Sequence, residues 1–147
     1  MIKPYGSEIL NPLLVKDKAH REMLLEEAEK IPSVVVSSAA AANAVMLGGG
    51  YFNPLNAYMN LADVLAVAEG MQMPSGLMWP TPVVNLLTAN SLTEELKSAA
   101  KIALRDPNVE GNPVIAIQSV DKIEQMSAEQ ISTVCKQIYG TSSTEHP

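Results

Sequence analysis

The sequence predicts an α+β domain, and three observations lead there. Apolar residues recur at helical spacing behind capping residues. Short runs of β-branched and aliphatic residues lie between those stretches. The connections are dense in Gly, Pro, Asn and Asp. The strands are too short and the turns too many for a doubly wound parallel sheet.

Leu10–Val15 has the composition of a short strand, and Pro12 inside it restricts it to an edge or irregular position. Asp17 caps a helix expected to run to about Lys30, with Leu24, Ala28 and Ile31 on one face and Pro32 as the stop. Ser33–Ser37 is expected to be a buried strand. Ser37 or Ser38 then caps an alanine-rich helix, Ala39–Leu47, which Gly48, Gly49 and Gly50 terminate. After a loop over Tyr51–Met59, Asn60 caps a helix with Leu61, Val64, Leu65 and Ala68 on one face, ended by Gly70. Apolar runs at Leu77–Trp79 and Val83–Leu87 turn the pattern to β, and Ser91–Ser98 suits a brief helical turn. Ala100–Arg105 and Val114–Val120 are strands flanking a turn-rich stretch from Asp106 to Asn112. Ser127 with Gln130 forms a capping box for a last helix carrying Ile131, Val134, Cys135 and Ile138, closed by Gly140. There is no internal repeat and no linker, so residues 1–147 are expected to form a single domain able to fold alone.

Composition narrows the function. Hydrophobic residues make up 47% and charged residues 18%, which is globular, while aromatics are 4% and methionines number 8, so the core is aliphatic with methionine filling gaps. The net charge of −6 repels phosphate backbones and argues against a nucleic-acid partner. The most apolar segment, Ala39–Leu47, is too short to span a bilayer, and the first residues lack a signal-peptide pattern. With one cysteine, a soluble cytoplasmic protein is expected, without membrane contact.

Candidate chemistry is thin. The glycine triplet follows a helix, whereas phosphate loops precede one. His20 and His146 are far apart and lack a further ligand at metal-site spacing, so no metal or cofactor site is expected in this chain. Cys135 lies on an apolar helix face and reads as a buried, inert thiol. Asp63, Asp106 and Glu110 have ordinary helix-start and turn roles, and no catalytic residue emerges. The loop holding Tyr51, Phe52, Pro54, Leu55, Tyr58 and Met59 is apolar enough to require packing, against the domain's own core or against a partner.

Five segments in collinear order resemble the amino-terminal region of ATP sulfurylases (sulfate adenylyltransferases). Ile2-Lys3-Pro4-Tyr5-Gly6 is similar to an initial Lys-Pro-His-Gly, with Tyr5 where His is usual. Gly50–Met59 resembles Gly-x-Phe-Ser-Pro-Leu-x-Gly-Phe-Met, with Asn53 and Ala57 departing from Ser and Gly. Gly76–Val83 resembles Gly-Leu-x-Trp-Pro-x-Pro-Ile/Val, and Ala103–Pro113 the strand–turn–strand that follows. Tyr139–Pro147 resembles Tyr-Gly-Thr-x-Asp-x-x-His-Pro, with Ser143 in place of Asp. Ser33–Met46 and Arg105–Pro113 are most similar to the enzymes of sulfur-oxidising bacteria.

The resemblance implies a PUA-like fold, a mixed β pseudo-barrel with flanking helices, spanning 1–147 as the amino-terminal domain. It implies a structural and interdomain module of an enzyme that interconverts ATP plus sulfate with adenosine 5′-phosphosulfate plus pyrophosphate. In that family ATP and Mg belong to a following nucleotide-binding domain with a Gln-x-Arg-Asn-Pro-x-His-x-x-His motif, which this sequence lacks. The expected partner is that catalytic domain, a homo-oligomer being the other. The expected interdomain surface is Tyr51, Phe52, Pro54, Leu55, Tyr58 and Met59 together with Met78, Trp79 and Pro80, and the tail Thr141–Pro147 is expected to lose its anchorage without its continuation. A free-standing PUA-like binding protein and a separately encoded non-catalytic subunit are the alternatives.

The acidic balance yields a direct test. In a fluorescence anisotropy titration at physiological salt, the chain is expected to show no micromolar binding to unstructured RNA, and a micromolar dissociation constant would contradict this.

Overall fold

A computed structural model of the chain describes residues 2–143. The chain divides into two compact units, residues 1–57 with 85–123 and residues 58–84 with 124–147.

The first unit is built on a three-stranded mixed sheet of order β1-β2-β3. It comprises β1 (Ser33–Val35), β2 (Lys101–Arg105) and β3 (Val114–Ser119). β2 pairs parallel with β1, Val34 opposite Leu104, and antiparallel with β3, Ala103 opposite Ile117. As the central strand β2 holds the driest residues: Ala103 is 0% and Leu104 1% exposed. The turn after it closes on itself. The Asp106 carboxylate accepts from the backbone N–H of Asn108 at 2.8 Å, and Asn112, in the left-handed region at φ 44°, donates from Nδ2 to the Asp106 carbonyl at 2.8 Å.

Two helices frame this sheet. α1 (Lys18–Ala28) begins where the Asp17 side chain accepts from the His20 N–H at 2.7 Å. It stops at Ala28, short of the expected Lys30. Pro32 disfavours helical backbone at Ile31, and the chain leaves the helix a turn earlier. α2 (Ser38–Gly49) is capped by Ser37 and ends on Gly50 at φ 77°, so two of the three glycines lie inside the helix and only the third terminates it. A 3₁₀ turn (Ala89–Ser91) and a short helix, α3 (Glu94–Ser98), precede β2 and bury Leu96.

The second unit packs two helices, α4 (Leu61–Gly70) and α5 (Ala128–Tyr139). Asn60 caps α4, and the Glu124 carboxylate accepts from the Leu61 N–H at 2.9 Å, a negative charge placed at the positive end of a helix. Val64, Val67 and Ala68 form its buried face. α5 has the capping box that Ser127 and Gln130 announce, with both bonds made. A tight hairpin over residues 71–79 joins Met73 to Leu77 and Trp79 to Met71, with a bridge between Gln72 and Met78.

The α+β class and the mixed sheet are as expected. Several elements differ. Leu10–Val15 is not a strand: Pro12 has no N–H to give a ladder, and the segment is fastened instead by one backbone bond from Leu14 to Gly48 at 2.9 Å. β1 is half-buried rather than buried, with Val34 inside and Val35 49% exposed, the alternation of an edge strand with one side open. Val83–Leu87 forms no strand. Met71, not Gly70, takes the left-handed position after α4, at φ 50°. The end of the tail, residues 144–147 with His146, lies outside the described residues.

Burial sets the expected stability effects. Leu104→Ala should cost about 2–5 kcal/mol in chemical denaturation, because the site is sealed by strands on both sides. Ser127→Ala, which removes an exposed cap, should cost about 1 kcal/mol. Equal losses for the two would contradict this assignment of the core.

Candidate functional site

The expected surface begins where α2 ends. Gly50 reverses the chain, its N–H bonded to the Leu47 carbonyl and the Tyr51 N–H to that of Met46. The Tyr51 ring then lies back against Gly49, where an added Cβ would sit 2.8 Å from ring atoms Cδ2 and Cε2. The glycine is therefore what lets the ring lie there. Tyr51 is nonetheless 76% exposed. Phe52, Pro54 and Leu55 are half-buried, the loop closed by a bond from the Leu55 N–H to the Phe52 carbonyl at 2.7 Å.

The remaining predicted residues lie in the second unit. Met59 bonds through its N–H to the Val83 carbonyl at 2.8 Å, and Val83 points its N–H at the Met59 thioether. Tyr58 is half-buried, and that burial pushes its phenol up to about 12. Met78 and Pro80 are exposed, whereas Trp79 is buried at 7% and belongs to the core of its unit rather than to a docking surface. Alternation along the hairpin accounts for the difference, since successive side chains point to opposite faces.

Asn53 is the residue whose role the sequence did not disclose. Its Nδ2 donates to the Tyr5 carbonyl at 3.1 Å and to the Ser7 hydroxyl at 2.6 Å, and its Oδ1 accepts from the Asn11 N–H at 3.3 Å. Three bonds of both polarities suit an amide, which carries two donors and an acceptor. Together with the Leu14–Gly48 bond and the contact of Leu10 and Pro12 with Gly50, they lay residues 5–14 across the end of α2. That segment carries Ile9, Leu10, Leu13 and Leu14, exposed by 74%, 53%, 41% and 64%. The sequence signal was the apolar run around Pro12, which suggested a strand.

Polar chemistry is sparse. No polar or charged residue is buried among the described residues, and no group of three His, Cys, Asp or Glu is arranged to hold a metal ion. Cys135 is half-buried rather than buried, and His20 is exposed. Asp63 sits in the first turn of α4 and Asp106 in its turn, as their spacing suggests. Arg105 is committed to the fold, its guanidinium bonded to Glu29 at 2.9 Å and to the Asn112 carbonyl at 3.3 Å. No described helix is long and apolar enough to cross a membrane.

The mixed sheet with flanking capped helices is joined by a direct match: the PUA-like domain family covers residues 2–147. The chain belongs to that family. Over its whole length this PUA-like chain is 50% identical to a sulfate adenylyltransferase of Allochromatium vinosum and 47% to that of Alcanivorax borkumensis, covering 36% of each. It is 41% identical to that of the Riftia pachyptila sulfur-oxidizing endosymbiont, over 99% of this chain and 32% of the relative. The chain thus spans about a third of the length of these relatives. The resemblance to the sulfur-oxidising type is borne out. Among solved structures, a hexameric APS kinase from Thiobacillus denitrificans superposes with a TM-score of 0.68 at 27% identity, over 86% of this chain and 24% of that one.

Tyr58 gives a pH-dependent test. Its phenol is raised in the folded chain from 10.0 to about 12, so the fold favours the neutral form. That contribution is fully present below pH 10 and is lost as pH rises from 10 to about 12. In a spectrophotometric titration the highest-ionising tyrosine should vanish in Tyr58→Phe, whose stability should also fall less steeply through that window. An unchanged titration in the variant would contradict the assignment.

Proposed function

We propose that this chain is the PUA-like, amino-terminal module of an ATP sulfurylase, and that it acts by docking against the catalytic nucleotide-binding portion. The observation that carries the proposal is the match of every residue of the chain to about a third of several sulfate adenylyltransferases. Under this reading the whole enzyme interconverts ATP plus sulfate with adenosine 5′-phosphosulfate plus pyrophosphate, in the cytoplasm.

That reaction is attack of a sulfate oxygen on the α-phosphate of ATP, with pyrophosphate leaving. It requires cationic and N–H groups fixed around a crowded anion. The chain has two arginines, Arg21 and Arg105, and the second is held by Glu29 and Asn112. ATP and Mg are therefore assigned to the remaining portion, and this chain's contribution is surface. Tyr51, the half-buried Phe52, Pro54, Leu55, Tyr58 and Met59, and the exposed Met78 and Pro80 are the residues proposed to meet a partner. Trp79, being core, is withdrawn from that set. Further copies of the assembled enzyme are the second partner.

Two measurements test this. The purified chain should form no ATP from adenosine 5′-phosphosulfate and pyrophosphate above background. A chimaera in which it replaces the matching third of the Allochromatium vinosum enzyme should turn over. Turnover by the chain alone, or a folded chimaera without activity, overturns the proposal.

A further inference from the structure

Residues 5–14 form a strap with two sides. The inner side is fastened at four places: Asn53 to Tyr5, to Ser7 and to Asn11, and Leu14 to Gly48. Pro12 and Leu10 rest on Gly50, where an added Cβ would lie 3.4 Å from Pro12 Cα and from Leu10 Cδ1. Away from Gly50, Ile9, Leu13 and Leu14 stand substantially in water, Ile9 at 74% and Leu14 at 64% the most so.

An irregular segment with so much exposed aliphatic surface gains nothing in water from being held in one conformation. Ordering it costs about 1–2 kcal/mol of backbone entropy per residue. Holding it nevertheless presents Ile9, Leu13 and Leu14 in a fixed arrangement, which lowers the ordering cost of any later association. Tyr51, 76% exposed, follows directly on Gly50, where Leu10 and Pro12 rest, and its ring lies against Gly49. A fastened segment that exposes several large aliphatic side chains marks an interaction surface rather than a solvent face.

We infer that the strap of residues 5–14, held by Asn53, is the principal surface by which this chain docks onto the catalytic portion of a sulfate adenylyltransferase. The inference rests on the function proposed above and places its surface on a segment outside the predicted set. The occupant follows from length: the relatives continue for about two thirds beyond what the chain covers, at 36% coverage, and that remainder is protein that the matched third must meet. The single charged residue of the strap, Glu8, pairs at 2.6 Å with Lys3 just before it, so the surface fits an apolar groove rather than a charged one. Asn53 acts as a positioning residue: it orients the strap and leaves the contact to the aliphatic side chains.

The test uses the isolated chain and the Allochromatium vinosum chimaera. Hydrogen exchange at the Ile9, Leu10 and Leu13 amides should be slower in the chimaera by tenfold or more. Ile9→Ser with Leu13→Ser should leave the melting temperature of the isolated chain unchanged, because both side chains are exposed, and lower that of the chimaera by several degrees. Asn53→Ala should speed exchange at Asn11 and Leu14 in the isolated chain and destabilise the chimaera, while Asn53→Gln, which keeps the amide, should recover part of the loss. Equal exchange in the two proteins, or a chimaera indifferent to the double variant, overturns the inference. So does self-association of the isolated chain that protects these same amides, since the occupant would then be a second copy. An active chimaera with an unprotected strap rejects this surface alone, whereas an inactive one rejects the function on which it rests.

Discussion

The central strand β2 carries the first unit. Among the described residues it is the one strand with a neighbour on both sides, parallel β1 and antiparallel β3, so its backbone groups are consumed in both directions. Ile102, Ala103 and Leu104 are buried in succession, on both faces of the sheet, which requires cover above and below. α1 and α2 both reach β3. Two ion pairs tie α1 to the ends of the strand, Glu27 to Lys101 at 2.7 Å and Glu29 to Arg105 at 2.9 Å. Their partners are partly exposed, so each contributes at most about 1 kcal/mol, and they fix where α1 lies more than they stabilise it. The buried strand is the larger effect.

The sheet matters to function through what it leaves uncovered. The chain buries fifteen apolar residues, several of them alanines, and exposes nineteen large ones among the described residues. Single exposed apolar residues are ordinary, but Ile9, Leu10, Leu13 and Leu14 share one segment that is fastened at the end of α2, where Tyr51 also sits. Docking is the role proposed for these side chains, with the portion of a sulfate adenylyltransferase beyond the matched third as the proposed cover. The chain's polar groups go the other way: turn carboxylates, caps and ion pairs are spent on the fold.

Local chemistry made much of this legible in sequence. Asp17, Ser37, Asn60 and Ser127 all cap where spacing places them, because a cap is decided within four residues. The strands β2 and β3 and their turn follow from Ile102, Leu104 and Asp106 for the same reason. What was not legible depended on distant partners. Leu10–Val15 has strand composition, but its fate was set by Gly48 and Asn53, some forty residues away. Trp79 and Met78 are neighbours of similar hydrophobicity, and only the hairpin pairing to Met71 and Gln72 decides which of them is buried. Asn53 stood out in sequence only as a departure from the family's usual Ser, while its bonds to Tyr5, Ser7 and Asn11 make it the fastener of the strap.

The exposed aliphatic side chains of the first unit are proposed to be covered by the rest of a sulfate adenylyltransferase. An experimental structure of the active chimaera tests this most directly. The account predicts that Leu13, Leu14 and Tyr51 lose nearly all their solvent exposure against the catalytic portion while Asn53 keeps its bonds to Tyr5, Ser7 and Asn11. A structure in which those three side chains still face water would contradict it.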